Sequence, residues 1–236
     1  ISSAVLTFPE RTRVVLNLSE PLEIGVDYEI TITDDLTDCN GNRIGMFDNA
    51  IVSVPQVIDY QDIVINEILF NPETGGSDFL ELYNKTNKTF DLSDLVIRNA
   101  VIYEDELGMD SLGGTAVAIQ TEYLFRPQTY LVLTADPVDI SSRYTVPNPD
   151  WMLRQSLSGF NDDEGNIKIT VGDLLETSYI DSVNYSEDWH SRLLDNEEGI
   201  SLERINIDAF SDAAGNWFSA AGTAGFATPT GPNSQS

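Results

Sequence analysis

The chain is 236 residues long and 41% hydrophobic, enough apolar content to bury a core in one large or two modest domains. Its 12 lysines and arginines stand against 39 aspartates and glutamates, a formal charge of −27. A field of that sign repels phosphate backbones and anionic lipid, which argues against nucleic acid and charged membrane surfaces as partners. One cysteine, Cys39, excludes an internal disulfide framework and any multi-cysteine metal site. No run of about 18 apolar residues occurs, so no membrane-inserted helix is expected. The sequence opens inside a strand-like run and therefore reads as a portion of a longer polypeptide, whose other domains are its expected partners.

Residues 1–55 hold four β-like runs, at 4–8, 14–18, 28–33 and 51–54, separated by turn-forming Pro9-Glu10, Glu20-Pro21 and Asp38-Cys39-Asn40-Gly41-Asn42. Alternation of Val14, Leu16 and Leu18, and of Tyr28, Ile30 and Ile32, predicts half-buried antiparallel strands. So short a segment is small for an independent sandwich, and its open edge calls for a partner or a neighbouring domain. The linker at 55–61 has no Gly/Ser tract, which predicts close coupling between this segment and the larger part of the chain.

Residues 62–84 form the centre of the chain: two strands around the breakers Asn71-Pro72 and Gly75-Gly76. A period of two places Ile63, Ile65 and Leu69 on one face and Val64, Ile68 and Phe70 on the other, so the hairpin should be covered on both sides. Asn66, Glu67 and Glu81 are polar groups inside these apolar runs, and a buried carboxylate must be paired, hydrogen-bonded or neutralised. Arg98 and Arg204 are the candidate counter-ions.

Beyond the hairpin, a polar turn at 84–88 leads to a strand at 90–98, a long acidic surface loop at 104–115 and a strand at 116–120. Strand 130–134 ends at Ala135-Asp136-Pro137, and 139–144 reads as one helical turn capped by Asp139 or Ser141. The turn at 159–166, with Gly165 and Asn166 suited to positive φ, joins 153–157 to 167–171, which pairs with 179–185. The last clear strand is 200–205, and 210–236 is a tail of small residues. No long segment of helical period occurs, so the fold class is all-β.

Several short motifs recur in one order. Ile65-Asn66-Glu67-Ile68, then Glu81-Leu82-Tyr83-Asn84 and Asp91-Leu92-Ser93, then Tyr130-Leu131-Val132-Leu133, Ser201-Leu202-Glu203-Arg204, Asn216-Trp217 and Ala227-Thr228-Pro229, resemble the bacterial lamin-tail domain over residues 59–236. The chain departs from that family after Leu92-Ser93, where Asp94-Leu95 replaces the usual Gly-Trp. Residues 1–58 resemble the C-terminal half of a bacterial Ig-like domain, through Pro21-Leu22, Gly25, Tyr28-Glu29-Ile30 and the Asp38 to Asn42 turn. The resemblance implies an immunoglobulin-like β-sandwich, a non-catalytic adhesion, spacer or protein-interaction module of a larger secreted or cell-surface protein. It names no ligand, and an unidentified protein or glycan remains the expected external partner.

Four sets of residues carry candidate chemistry. Glu67 and Glu81, facing each other in the right register, could act as the acid and base of a glycosidase or could be structural, and the structural role is preferred. Calcium favours clustered carboxylate and carbonyl oxygens, and three acidic loops offer them: Asp34-Asp35 with Asp38, Asp195-Asn196-Glu197-Glu198, and Asp162-Asp163-Glu164 with Asn166. The last is the first choice for a metal site, no other cofactor being expected. Trp151 and Trp189 are the candidate aromatic platform of an alternative role, a carbohydrate-binding module accompanying a secreted hydrolase, while Trp217 reads as structural. The only histidine, His190, reads as an exposed loop residue without a serine nucleophile motif beside it.

Overall fold

The computed structural model describes residues 1–7, 13–32, 37, 40–42, 49–93, 95–104, 110–119, 123–157, 159–172 and 177–236. Cys39 and the candidate calcium ligands Asp34, Asp35 and Asp38 lie outside the described residues. By contact density the chain divides into two compact units, Ile1–Gln56 and Val57–Ser236.

In the first unit, β1 (Ser3–Leu6) pairs antiparallel with β2 (Val14–Asn17), and β3 (Tyr28–Thr31) with β4 (Asn49–Val52). Alternation holds in β3, where Tyr28 and Ile30 are half-buried and Glu29 and Thr31 exposed. It fails in β1 and β2, where only Leu16 is half-buried and Val5 and Val14 stay more than half exposed. The β1–β2 ribbon therefore shows apolar side chains on both faces.

The second unit is a β-sandwich. Its strands are β5 (Ile63–Leu69), β6 (Phe79–Asn84), β7 (Phe90–Asp91), β8 (Leu95–Glu104), β9 (Asp110–Ala118), β10 (Leu124–Phe125), β11 (Tyr130–Thr134), β12 (Met152–Arg154), β13 (Glu164–Gly172), β14 (Thr177–Ser186), β15 (Leu202–Arg204) and β16 (Trp217–Ser219), with a short helix α1 (Pro137–Arg143). Among the described residues, one sheet runs β12-β11-β6-β5-β15-β16 and the other β14-β13-β8-β9, while β7 and β10 form a two-stranded ribbon. Ile63, Ile65, Leu82, Leu131, Ile97, Ile167 and Val183 meet between the two main sheets in one continuous core. The outer face of the first sheet is also covered, by a smaller cluster of Leu69, Phe79, Val132, Ile140 and Ala227. Every residue of β5 is buried, as a hairpin at the centre of a doubly covered sheet requires.

Simple alternation fails inside β5. Ile65 opposes Leu82 but Glu67 opposes Glu81, so Asn66 is the extra residue of a β-bulge and every side chain after it changes face. Ile63, Ile65, Ile68 and Phe70 all enter the main core, whereas Leu69 joins the outer cluster. The bulge carries Glu67 to the outer face.

Other local expectations shift for identifiable reasons. Most of 104–115 is not a surface loop but the outer parts of the β8–β9 hairpin, in register from Val96↔Ala118 to Glu104↔Asp110. Helix α1 starts earlier than expected, because Pro137 supplies the preset φ of a first helical residue and Asp136 caps it, accepting from the Val138 amide at 3.2 Å. Asp139 instead accepts from the Ser77 amide at 2.8 Å and pairs with Arg143 at 2.6 Å. The tail is not a loose end: β16 pairs with β15, and Ala227 and Thr230 are fully buried.

Gly165 is not a turn residue at positive φ. It lies in β13 opposite Tyr185, and a Cβ built on it would come within 2.6 Å of the tyrosine Cζ. Tyr185 is buried there against Phe70, with 4.6 Å between ring centroids. Gly165→Ala should therefore cost about 1–3 kcal/mol by overpacking, read as a lower urea midpoint with an unchanged m value.

Candidate functional site

The bulge and the register of β5, β6 and β15 bring three glutamates into one row. Glu67 lies directly opposite Glu81 on one side and Glu203 on the other, and all three are 0% exposed. Neither expected arginine neutralises them. Arg98 contacts Thr170 at 3.4 Å, and Arg204 pairs with Asp181 at 3.3 Å. The reason is again the face: Glu203 and Arg204 are successive strand residues and point to opposite sides of the sheet.

What satisfies the row is the C-terminal segment, which lies across it. Glu67 accepts from the Thr228 amide at 2.8 Å and from the Ser201 hydroxyl. Glu81 accepts from the Thr230 amide at 2.6 Å and from Asn66 Nδ2 at 2.8 Å. Glu203 takes the hydroxyls of Thr228 and Ser234, each at 2.7 Å, and the Gln235 amide at 3.0 Å. Asn233 closes the arrangement: its Oδ1 accepts from Asn66 Nδ2 at 2.7 Å and its Nδ2 donates to the Asn66 and Arg204 carbonyls at 3.0 and 2.8 Å. The bulge leaves Asn66 outside the strand ladder, and Asn233 takes up its carbonyl.

Three carboxyls in one dry row cannot all be charged. Burial, reinforced by the charge of Glu203, pushes the Glu67 carboxyl up to about 8, so it holds its proton at neutral pH. Burial, and next the neighbouring Glu67, hold Glu81 well above the usual carboxylate range. The row thus resembles a shared-proton site, yet it is sealed from solvent by Thr228 to Gln235. In this form it offers no cleft in which a glycoside could lie between the two carboxyls.

His190 is buried, not exposed. Its Nδ1 lies 2.9 Å from the Ser219 hydroxyl, its ring packs 5.6 Å from Phe70, and its Nε2 has no partner among the described residues. Trp189 draws this turn inward by stacking on the buried Trp217 at 6.3 Å, and Trp217 itself is a core residue that donates to the Ser211 carbonyl at 2.7 Å. Desolvation lowers the imidazole to about 4, so it is neutral at physiological pH.

The other candidate residues divide between places. Asp163, Glu164 and Asn166 line, together with Trp189, a groove of about 480 Å3 where β13 begins and β14 ends. Asp162 is exposed in the adjoining turn and does not line it. Trp151 ends a 3-10 turn next to β12 and is not part of the groove, so the two platform tryptophans do not share it. Glu164 and Asn166 belong to a strand, and Asp163 Oδ1 accepts from the Glu164 amide at 2.7 Å. Among the described residues, no three Asp, Glu, His or Cys side chains are grouped to hold a metal ion.

Glu203, Asn233 and the groove residues Asn99 and Asn184 escape a reading by residue type. Glu203 carried one available signal, a carboxylate inside the predicted strand 200–205, as Glu67 is a carboxylate inside its own strand. No protein-family model, curated protein or solved structure matches the chain.

Proposed function

We infer that the chain is a lamin-tail-like sandwich preceded by part of an Ig-like domain, serving as a non-catalytic adhesion, spacer or interaction module of a larger extracellular bacterial protein. The observation that carries this reading is the meeting of the resembling motifs in one cluster. Glu67, Glu81, Glu203 and Thr228 come from four separate motifs between residues 65 and 229, and hydrogen bonds from the C-terminal segment join them. Such a cluster closes a fold; it does not expose an acid and a base to a substrate. The high negative charge suits a soluble surface that engages partners.

The test is turnover. The full chain, assayed against chromogenic α- and β-glycosides from pH 4 to 9, should hydrolyse none faster than its Glu67→Gln and Glu81→Gln variants. Hydrolysis by the wild type that disappears in either variant would overturn the reading and assign the pair a catalytic role.

A further inference from the structure

The groove lined by Trp189 has a one-sided hydrogen-bonding character, and its amides reveal it. Asn99 donates through Nδ2 to the Gly159 carbonyl at 3.0 Å, and Asn161 through Nδ2 to the Glu164 carbonyl at 3.3 Å. Asn184 donates through Nδ2 to Asp212 Oδ1 at 3.2 Å, which turns its own Oδ1 to accept from Asn166 Nδ2 at 2.7 Å. Carbonyls and carboxylates cannot donate, so the orientation of each amide follows from its partner. Among the described residues, the amide oxygens of Asn99 and Asn161 and the carboxylate of Glu164 are left without a partner, and so is the amide oxygen of Asn166, which lies on the other face of the sheet from Asn99 because Asn99 pairs with Ile167. Asp163 adds a second exposed carboxylate to the wall. None of the residues lining the groove is basic.

A ligand for this surface must be rich in donors and must not be an anion. Phosphate or carboxylate groups would meet like charge. A sugar hydroxyl accepts as well as donates, and the wall offers it few free donors. A guanidinium fits each feature: it has five donors in one plane and no acceptor, matches a carboxylate in bidentate fashion and stacks on an indole. We propose that this groove receives a guanidinium group, carried by an arginine side chain of a partner polypeptide, with Asp163, Glu164 and the amide oxygens of Asn99 and Asn161 as acceptors and Trp189 as the stacking face. The proposal rests on the reading of the chain as an interaction module and names the chemistry of its partner. The chain's charge of −27 would steer such a cation towards the surface.

The test is a titration of the 15N-labelled full chain at low salt, following the indole N–H of Trp189. The probes are N-acetyl-arginine amide, triarginine, trilysine, cellotetraose and calcium chloride. Saturable shifts with both arginine probes, weaker shifts with trilysine and none with cellotetraose are expected. Triarginine binding well above that of the single amino acid would assign the guanidinium to a peptide; equal binding would assign the site to free arginine and overturn the polypeptide part. Asp163→Asn and Glu164→Gln should each weaken triarginine roughly two- to fivefold, as exposed ion pairs do, with the rest of the spectrum unchanged. Asp195→Asn with Glu198→Gln, outside the groove, should leave binding unaltered. Equal losses in that control, or wild-type affinity in the groove variants, would reduce the effect to nonspecific attraction and overturn the site. Shifts with calcium or cellotetraose and not with arginine would overturn its chemistry in favour of a metal or glycan. Each failure here is separate from glycoside turnover, which alone decides whether the module is catalytic.

Discussion

Between pH 6.5 and 8 the unfolding midpoint of the second unit should fall as pH rises. All three tryptophans lie in that unit, so fluorescence follows it selectively. Glu67 has a carboxyl near 4.5 when unfolded and about 8 when folded, so in this window the native state holds a proton that the unfolded state has lost. A carboxyl raised in the folded state contributes stability that is complete below the unfolded value and is lost as pH rises through the folded one. The slope is about 1.4 kcal/mol per pH unit for each such proton, or roughly 3–6 °C per unit for a domain of this size. Glu81 shifts in the same direction and steepens the fall. The window matters because other groups act below it. His190 is lowered to about 4, so its contribution is complete above 6.5 and is lost as pH falls, opposing the glutamates there. Asp78, raised to about 6 chiefly by burial, has finished its own loss before the window opens. Glu67→Gln separates the row from general repulsion among surface acids. Its amide oxygen can still accept from Thr228 and Ser201, and its amide nitrogen can donate to the Thr228 hydroxyl that already serves Glu203. The variant should therefore melt above the wild type already at pH 6.5, further above it at pH 8, and show a shallower slope. Identical slopes would mean that Glu67 is ionised in the native state, and the account of the row would be wrong.

The all-β class and the central, doubly covered hairpin were legible in the sequence, because β5 is apolar at nearly every position and only a strand covered on both faces tolerates that. The facing of Glu67 and Glu81 was legible as one of two registers. What a period of two could not supply was the bulge at Asn66, which depends on Asn233 accepting and donating hydrogen bonds from 167 residues away. Without the bulge, Glu67 falls on the wrong face and an arginine looks like its natural partner. The burial of His190 was hidden for a related reason. Its neighbours in sequence are polar, but its environment is set by Trp189 stacking on Trp217, a contact between distant segments. The groove was half legible: its carboxylates come from one acidic run, while Asn99 and Asn184 join it only through the pairing of β8, β13 and β14.

Arg204 is the side chain whose loss should cost most. It is 0% exposed and spends its donors on the Ile65 carbonyl at 3.0 Å, the Asn206 carbonyl at 3.2 Å, the Ala209 carbonyl and Asp181 at 3.3 Å. Asp181 is equally buried and also accepts from the Ile65 amide at 2.9 Å and from the Ser211 hydroxyl. The pair thus ties β5, β14 and the segment before β16 together at one point. Burial lowers the guanidinium and raises the Asp181 carboxyl, and each charge offsets the desolvation of the other. Removing one partner leaves a buried charge and several orphaned carbonyls, and Arg204→Ala should destabilise by about 3–5 kcal/mol in urea titration at pH 7. Arg204→Lys should recover little, since an ammonium cannot span four acceptors arranged for a planar fork. Asp181→Asn placed on Arg204→Ala should restore part of the loss, because the amide removes the uncompensated charge and keeps an acceptor for Ser211. If the double variant is no more stable than Arg204→Ala, the cost lies in the orphaned carbonyls and not in the carboxylate. If Arg204→Ala costs less than about 1 kcal/mol, Asp181 takes up a proton and remains buried as a neutral acid. That outcome would show as a new loss of stability when pH rises through neutrality, which the wild-type pair is arranged to prevent.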